Sequence, residues 1–386
     1  MKKVVLGEVC DFFNGGAWSD KEYVNEGIPV LKVTNCKSTG FQLDNLNYLS
    51  EKSREKYKKN NLIIGDVIVA TVGSHPNLIE SAAGRSCIVN SQVEGFYLNQ
   101  NAVCIRTKDK RILSQKYLGY LCKCADFQHY IQSRGRGAAN QMRIAISSIK
   151  EYSFTLPDFE NQQYIADILS AYDDLIENNQ KQIKLLEEAA QRLYKEWFVD
   201  LRFPGHENTK IVDGVPEGWS RGLLKELISV NYGKDHKKAP DDGNIPVYGS
   251  GGLMRKCNKS LFSGEAVLIP RKGSLNNIMY VDETFWTVDT MFYATMKQPH
   301  TAVFVYFFVK AFDMYSMNIG AAVPSMTTKI LDAMDVVIPD KETLEKFDKC
   351  AKTYFNKIKT LQGQNERLKT ARNLLLPKLM SGEVEV

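Results

Sequence analysis

The chain has 386 residues, of which 44% are hydrophobic and 25% are charged, so it is long enough for two or three domains with cores of their own. Its 50 basic and 45 acidic side chains leave a net charge of +5, which permits a nucleic-acid partner without establishing one. The first ten residues lack the pattern of a signal peptide, and the most apolar run, 302–309, is too short for a membrane span. We therefore expect a cytoplasmic protein whose eight scattered cysteines are reduced and mostly buried.

Residues 1–157 have the pattern of a mixed, strand-rich domain. Runs rich in β-branched and aromatic residues, separated by glycine-containing turns, predict strands at 4–13, 28–34, 62–72, 86–90 and 102–107. Between 114 and 132 the apolar residues recur at helical spacing, which predicts a helix on the flank of the domain.

Two polar loops of this domain could contact nucleic acid. One follows the strand at 62–72, and the other, 134–143, combines three arginines with two amides and two glycines. Each alone is explained by an ordinary solvated loop, but such side chains also hydrogen-bond base edges and phosphates. The candidate residues are Ser74, His75, Asn77, Arg134, Arg136, Gln141 and Arg143.

Residues 158–200 are dominated by a heptad pattern. Steps of four and three residues from Ile165 to Trp197 meet apolar side chains at nine of ten positions, and no Gly or Pro interrupts 161–198. This spacing is typical of a coiled-coil seam and predicts one long helix. Taken alone, such a helix could be a scaffold or a dimerisation rod.

The same seam recurs 182 residues later, in segment 340–386. The second seam runs from Phe347 to Leu379 and includes one Asn and one Arg. Pro377 predicts that this helix ends or kinks one turn before Leu379, and Gly363 is a weaker point within it.

We hypothesise that the two helices pair antiparallel within the chain, with Asn179 opposite Asn365. In that register the two buried amides satisfy each other, and positions of the a type meet positions of the d type. The outer pairs would then be Ile165 with Leu379 and Trp197 with Phe347.

After a segment at 201–218 that we expect to be an exposed linker, residues 219–339 repeat the layout of the first domain. Order and spacing are kept throughout, which indicates a tandem duplication of a domain followed by a long helix. Segments 6–9, 28–30, 65–69, 71–74, 137–139 and 156–158 correspond to 224–227, 245–247, 264–268, 271–274, 320–322 and 338–340.

The second domain also carries polar and basic loops. Arg suits guanine and Asn suits adenine, while Lys, Ser and Thr typically anchor phosphates. Basic loops are common on protein surfaces, so the repetition of the set carries more weight than any one member. The candidates are Lys234, His236, Lys237, Lys238, Arg255, Lys256, Arg271, Lys272, Ser274, Asn276, Asn277, Thr327 and Lys329.

Catalytic signatures are missing from the sequence. It contains no Walker A loop, no dinucleotide fingerprint after a strand, no nucleophile elbow and no zinc-protease motif. It also lacks the Asn/Asp-Pro-Pro-aromatic tetrapeptide of amino-methyltransferases, and its five histidines are dispersed. We therefore expect neither a catalytic residue nor a metal site in this chain.

Segments 193–203 and 374–383, together with the duplicated domain and helix, resemble the specificity subunit of type I restriction–modification systems. The resemblance implies an α+β fold in which two target-recognition domains are separated by an antiparallel coiled coil. Each domain would read one half of a bipartite site in double-stranded DNA.

The same resemblance implies that the chain is not an enzyme, binds no cofactor and has no membrane partner. Two methyltransferase subunits would bind S-adenosylmethionine and methylate adenine at N6. Separate restriction and motor subunits would use ATP and Mg. The two short specific sequences of the bipartite site, here called its two words, would have a spacing that follows from the length of the helices, since duplex DNA rises about 3.4 Å per base pair.

Two other interpretations stay open. The heptads alone allow a non-enzymatic coiled-coil scaffold that binds only proteins. A fused restriction enzyme carrying its own methyltransferase is also conceivable, although the missing motifs and the limited length argue against it.

Overall fold

Residues 2–37, 40–74, 82–137, 142–317 and 325–384 are described by the computed structural model of the chain. Their contacts divide into two units. Unit 1 comprises Met1–Asn178 and Asn365–Val386, and unit 2 comprises Asn179–Gln364. Each unit mixes strands with helices, as the predicted α+β fold requires.

Unit 1 contains two four-stranded sheets and several strand pairs. The first sheet has the order β10-β8-β12-β2 and the second has the order β11-β4-β7-β3. The strands are β1 (Lys2–Val5), β2 (Cys10–Asn14), β3 (Tyr23–Val24), β4 (Ile28–Leu31), β5 (Cys36–Lys37), β6 (Gly40–Phe41), β7 (Asn47–Leu49), β8 (Val67–Ala70), β9 (Val72–Gly73), β10 (Ser86–Ile88), β11 (Tyr97–Leu98), β12 (Ala102–Thr107), β13 (Met142–Arg143) and β14 (Ser153–Leu156). Its short helices are α1 (Leu6–Val9), α2 (Gln115–Lys123), α3 (Ala125–Gln132) and α4 (Ile146–Lys150).

The strand expected at 4–13 is wrong as one element, because helix α1 separates β1 from β2. Strand β1 pairs with β14, whereas β2 pairs with β12, so the helical turn carries the chain from one sheet to another. The buried Leu6 fixes this turn, since its amide donates to the carbonyl of Tyr152 at 2.8 Å. A short apolar run does not distinguish a strand from such a turn.

The helix expected at 114–132 is divided in two. Residue Cys124 has the extended values φ −65° and ψ 146°, so helix α2 ends there and α3 starts anew. Both helices contribute buried side chains to the core of unit 1.

Unit 2 is built around a six-stranded sheet with the order β18-β23-β21-β22-β19-β20. The strands are β15 (Ile211–Val212), β16 (Val215–Pro216), β17 (Ser220–Leu223), β18 (Ile228–Tyr232), β19 (Ile245–Gly249), β20 (Gly252–Cys257), β21 (Phe262–Pro270), β22 (Met279–Thr287), β23 (Met291–Met296) and β24 (Asp335–Ile338). Helices α6 (Ala302–Lys310) and α7 (Thr328–Asp332) complete its globular part.

Backbone hydrogen bonds of the two units correspond, which supports the predicted duplication. Strand β1 pairs antiparallel with β14 in unit 1, as β17 does with β24 in unit 2. The amide of Leu6 donates to Tyr152, and the amide of Leu224 donates to Met334, each at 2.8 Å.

Two long helices account for the predicted heptad segments. Helix α5 (Phe159–Tyr194) has 36 residues and continues into one π-helical turn at Lys195–Val199. Helix α8 (Lys341–Ser381) has 41 residues. The expected end at Pro377 is wrong, because α8 remains helical past it, while the alternative of a kink there stays a prediction. Pro377 and Asn373 are both exposed, so the Asn373 carbonyl that proline leaves unbonded can turn to water.

Within unit 1 the two helices run antiparallel. Arg372 of α8 forms an ion pair with Asp173 of α5, and Leu379 packs in the same apolar cluster as Ile165. The direction along α8 is therefore opposite to that along α5. The arginine that interrupts the second seam thus has a specific acidic partner.

Within unit 2 the expected pair of Trp197 and Phe347 is confirmed, with ring centroids 5.8 Å apart. Tyr194 and Phe198 also pack against Phe347, at 6.3 and 4.8 Å. Elsewhere along the seams, Asn179 and Asn365 are each buried, at 7% and 5% exposure. Their mutual pairing stays a prediction.

The Asp173 ion pair gives the first testable prediction. Burial alone would raise the pKa of Asp173, but the charges of Lys123 and Arg372 and the hydrogen bonds from Arg372 and Tyr120 hold it below the ordinary 3.8. Because the folded-state pKa is depressed, its stabilisation is full above the unfolded-state value and is lost as the pH falls through the folded-state value. Asp173→Asn should lower the free energy of unfolding by about 1–2 kcal/mol near neutral pH.

Urea unfolding of both proteins at several pH values measures this effect. The difference between wild type and variant should shrink as the pH falls below 3.8. Asp174→Asn is the matched control, since Asp174 is the adjacent and exposed aspartate. An equal loss in both variants, or a difference that does not vary with pH, would contradict the prediction.

Segment 201–218 is more ordered than the exposed linker that we expected. Its residues form the β15–β16 hairpin, and Phe203 is buried against Trp219 with ring centroids 4.8 Å apart. Phe203 thus belongs to the core of unit 2, and Leu201 and Val215 are partly buried against it, whereas Ile211 and Val212 are exposed.

All eight cysteines are free thiols, and seven of them are buried, as predicted. Burial raises the pKa of Cys10 and of Cys124 to about 12, so both remain protonated at neutral pH. In the described part of the chain, no helix combines the length and apolarity that crossing a membrane requires.

Candidate nucleic-acid interface

The two candidate loops of unit 1 are neighbours. Strand β9 leads directly into Ser74, and it pairs antiparallel with β13, which ends the 134–143 segment. The amide of Ile144 then donates to the carbonyl of Thr71 at 2.8 Å. We call the surface formed by Ser74, Arg134, Arg136 and Arg143 the unit 1 loop surface. His75, Asn77 and Gln141 lie outside the described residues.

Arg136 and Arg143 lie directly opposite each other on this surface. They form an isolated antiparallel bridge, in which each amide donates to the other's carbonyl, at 2.9 and 2.8 Å. Both are exposed, and within the described residues no carboxylate forms an ion pair with either. Opposed residues of an antiparallel pair project to the same face, where like charges destabilise the structure. An anion at this face would relieve that repulsion.

Arg134 is positioned by the end of helix α3. Its guanidinium lies 3.6 Å from the ring centroid of Tyr130 and donates to the Tyr130 carbonyl at 3.2 Å. The side chain is exposed, so stacking restricts its direction while leaving the charge accessible.

The equivalent loop of unit 2 carries Arg271 and Lys272. Lys272 forms a bridge with Ser325, and the amide of Met326 donates to the Arg271 carbonyl at 2.9 Å. This bond corresponds to that between Ile144 and Thr71 in unit 1. The duplication therefore places two basic residues of unit 2 where unit 1 has Thr71 and Val72.

Several contacts hold the Arg271 loop in place. The amides of Arg271 and Lys272 both donate to the Thr290 carbonyl, at 2.8 and 3.2 Å. The Arg271 guanidinium lies 5.4 Å from the ring centroid of Tyr232, an exposed aromatic residue that the sequence analysis missed. Its position at the end of β18, directly before Gly233, was the available signal. Lys272 is exposed beside this supported guanidinium.

Asn276 and Asn277 have structural partners within unit 2. The Asn276 amide donates to the Asp313 carboxylate at 3.0 Å and accepts from the Met314 amide at 2.8 Å. The Asn277 amide donates to the Ser250 carbonyl at 2.8 Å. Base reading by these two residues stays a prediction, while their observed contacts fix the loop that also contains the exposed Ser274.

Arg255 also has internal partners. It forms an ion pair with Asp241 and donates to the carbonyls of His236 and, at 2.7 Å, Ala239. These bonds connect strand β20 to the 236–239 turn. Lys256, which follows Arg255 in the strand, is exposed.

The turn that begins at Lys234 is fixed through its backbone. Trp286 donates its indole N–H to the Lys234 carbonyl at 3.1 Å, and the Asp235 carboxylate accepts from the Lys237 amide at 3.0 Å. Lys234 and Lys237 are exposed and His236 is half-buried. Lys238 belongs to the same helical turn, His236–Lys238.

The last candidates lie at helix α7. The Thr327 hydroxyl accepts from the Ile330 amide at 3.4 Å, so Thr327 is the N-cap of this helix. Lys329 is exposed on its first turn.

The candidates that reach solvent are mainly ammonium, guanidinium and hydroxyl groups. Such groups bind phosphate oxygens and base edges. Among the residues that the structure describes, no three His, Cys, Asp or Glu side chains are placed to hold a metal ion.

Comparison with known proteins adds three findings. The family model for the type I restriction modification DNA specificity domain matches residues 1–188 and 216–370. The chain is 26% identical over 312 residues to the type I restriction enzyme MjaIX specificity subunit of Methanocaldococcus jannaschii, covering 70% of this chain and 69% of that protein. It is 22% identical to the type I restriction enzyme HindI specificity subunit of Haemophilus influenzae, covering 96% of each.

The fold is also similar to a solved structure. The S subunit of a type I restriction–modification system from M. genitalium superposes with a TM-score of 0.59 at 18% sequence identity, covering 98% of this chain and 96% of that chain. At this identity the likeness concerns the fold.

Proposed function

Because this chain belongs to the type I restriction modification DNA specificity family, we propose that it reads a bipartite site in duplex DNA and directs an adenine-N6 methyltransferase to it. Unit 1 reads one half of the site through the unit 1 loop surface, and unit 2 reads the other half through the loop that carries Arg271 and Lys272. The chain itself carries no catalytic residue, and the chemistry belongs to partner subunits.

The observation that supports DNA binding most directly is the opposition of Arg136 and Arg143. Two exposed guanidinium groups on one face of a strand pair repel each other in the free protein. A phosphate or a guanine edge between them turns this repulsion into attraction, because each guanidinium offers a fork of donors. The binding of an anionic partner therefore stabilises this arrangement.

Unit 2 supports the same role at the equivalent place. Arg271 and Lys272 occupy a loop that is held by backbone bonds to Thr290 and Met326. A guanidinium held in one direction loses little freedom on binding, which favours it as a reader of base edges. Lys272 and Lys256 are suited to phosphates.

The proposed partners follow from the family and from the names of the relatives, which are specificity subunits of type I restriction enzymes. We propose that two methyltransferase subunits and the restriction and motor subunits assemble on this chain. S-adenosylmethionine, ATP and Mg bind to those subunits, and this chain binds none of them.

The two long helices set the distance between the two DNA words in this proposal. A helix of 36 residues is about 54 Å long at about 1.5 Å per residue. Duplex DNA of that length contains about 16 base pairs at about 3.4 Å each.

A protein-binding scaffold without DNA contact is the competing function. It would account for the long helices but would assign no role to the opposed arginines of unit 1 or to the supported basic loop of unit 2.

Mapping of methylated adenines tests the proposal. The chain is expressed with its methyltransferase subunits in a host that lacks adenine methylation, and the genome is sequenced by a method that detects N6-methyladenine. We expect nearly complete methylation at one bipartite motif whose two words are separated by a fixed number of unspecified bases. A host expressing the methyltransferase subunits alone should show none. Equal methylation with and without this chain, or a single undivided motif, would contradict the proposal.

A further inference from the structure

Tyr232 is a large aromatic residue at the surface of unit 2, where it ends strand β18. It is 53% exposed, although it follows Ile228 and Val230 on the face of the sheet that packs into the core. Successive side chains of a strand alternate between its two faces, so residues two apart share one face. The Tyr232 ring therefore continues an apolar row beyond the point where the core ends.

The position of the Tyr232 ring is fixed by its neighbours. Tyr232 lies directly opposite Phe292 in the β18–β23 pair, and the two rings meet edge to face with centroids 5.1 Å apart. Phe292 is fully buried. The backbone of the next residue, Gly233, packs closely against Val288, since a Cβ atom built on Gly233 would lie 1.9 Å from the Val288 carbonyl oxygen. The ring is thus held both by the core and by the chain that follows it.

Arg271 lies on the same face of the sheet, on the other side of Phe292. Ile269 of β21 pairs with Phe292, and Arg271 follows Ile269 by two residues. The Arg271 amide extends this ladder by donating to the Thr290 carbonyl at 2.8 Å. The guanidinium accordingly lies over the Tyr232 ring, 5.4 Å from its centroid.

Both side chains keep their polar groups available. Within the part of the chain that the structure describes, no hydrogen bond or ion pair engages the Arg271 guanidinium or the Tyr232 hydroxyl. Arg255 of the same unit, by contrast, is paired with the Asp241 carboxylate. A guanidinium that an aromatic ring positions, and whose donors are not engaged, is suited to the two acceptors N7 and O6 on the major-groove edge of guanine.

The distance between the two side chains indicates which base the ring meets. A guanidinium that donates to N7 and O6 lies near the plane of its guanine, and neighbouring base pairs are stacked about 3.4 Å apart. A ring that this guanidinium faces at 5.4 Å is therefore at the level of the adjacent base pair. The apolar group on the major-groove edge of a base pair is the C5-methyl group of thymine.

Resting on the proposed function, we propose that Tyr232 is a specificity-determining residue whose ring contacts the C5-methyl group of a thymine next to the guanine that Arg271 reads. The half-site of unit 2 accordingly contains a thymine in the base pair adjacent to that guanine. The contact distinguishes thymine from cytosine, whose C5 atom carries no methyl group.

The test uses the assembled complex with its methyltransferase subunits and a duplex carrying the motif mapped in cells. Each thymine of the motif is replaced in turn by uracil, which lacks only the methyl group, and fluorescence anisotropy measures the affinity. We expect uracil at one thymine adjacent to a guanine to weaken binding by wild type about fourfold, the effect of one buried methyl group. Tyr232→Ala should bind the thymine and uracil duplexes equally, whereas Tyr232→Phe should keep the fourfold difference.

A second substitution in the DNA tests the pairing of Tyr232 with Arg271. The guanine next to the sensitive thymine is replaced by 7-deazaguanine, which lacks the N7 acceptor. This change should weaken binding by wild type about tenfold, as expected for one hydrogen bond from a charged donor, and should leave binding by Arg271→Ala unchanged. Equal weakening of wild type and Arg271→Ala would place another residue at this guanine and overturn the proposal.

The matched control is Tyr164→Ala. Tyr164 is almost equally exposed, at 52%, but it lies in helix α5 of unit 1. The control should keep the fourfold difference between the thymine and uracil duplexes.

Other results would overturn the role of Tyr232. A mapped motif without a thymine next to a guanine, or wild-type binding that no uracil weakens, contradicts the methyl contact and leaves the proposed function standing. A fourfold difference that persists in Tyr232→Ala, with the affinity for both duplexes lowered alike, gives Tyr232 a purely structural role. Failure of the wild-type complex to bind the duplex at all would refute the proposed function and the methyl contact together.

Discussion

Reversal of two charges in unit 2, Arg271→Glu with Lys272→Glu, is expected to lower the affinity of the assembled complex for its mapped duplex by about 100-fold or more. The variant replaces two attractive contacts by two repulsive ones at a loop whose backbone is held by Thr290 and Met326. The linear dependence of log affinity on log salt concentration should become shallower by about one unit, since the phosphate contact proposed for Lys272 disappears. Fluorescence anisotropy across a salt series measures both quantities.

The control for this variant is Lys210→Glu with Lys225→Glu. It makes the same change in net charge at two exposed lysines of unit 2 outside the candidate loops. Circular dichroism and co-purification with the methyltransferase should match wild type in both variants. Equal losses of DNA affinity in the two variants would show that net charge alone matters, and no loss in either would favour the scaffold.

Insertion of one heptad into each long helix is expected to lengthen the spacer of the methylated motif while leaving its two words unchanged. The insertions follow Asn178 in α5 and Gln364 in α8, where the two units meet in the sequence, and carry apolar residues at both seam positions. Seven residues add about 10 Å of helix, which corresponds to about three base pairs. Mapping of methylated adenines reads the new spacing directly.

A seven-residue insertion between Asp213 and Gly214 is the control. It lengthens the chain equally at the turn of the β15–β16 hairpin, outside both helices. The spacer should then stay as in wild type. If methylation in the heptad variant still mapped to the original spacing, helix length would not determine it.

The long helices were predictable because their signal is spread over many turns. The prediction of a helix from a seam that keeps one period from Ile165 to Trp197 does not depend on any single residue. The ends of the helix in the structure agree with the predicted ends within a few residues. The local signals at Val4–Val9 and at Pro377 were weaker. The helical turn after Val5 is held by a hydrogen bond from the Leu6 amide to a residue far away in sequence. At Pro377 the helix continues, and Leu379 is buried in the unit 1 core.

The candidate interface was predictable by residue type but not by arrangement. The sequence placed arginines at 136 and 143, yet only the strand bridge shows that they oppose each other. Asn276 and Asn277 have the side chains of base readers, but their partners, Asp313, Met314 and Ser250, lie far away in sequence. Contacts of this kind depend on tertiary structure, which local patterns do not encode.

The division of the chain into units has a consequence for folding during synthesis. Unit 1 includes Asn365–Val386, so all of unit 2 is translated before the last part of unit 1 exists. At about 5–20 residues per second, that delay is roughly 10–40 s. Throughout it, the α5 face around Ile165 lacks Leu379 and Asp173 lacks Arg372.

The domain that leaves the ribosome first is therefore completed last. A chain truncated before residue 365 would keep every residue of unit 2 but lack the 22 residues Asn365–Val386 of unit 1.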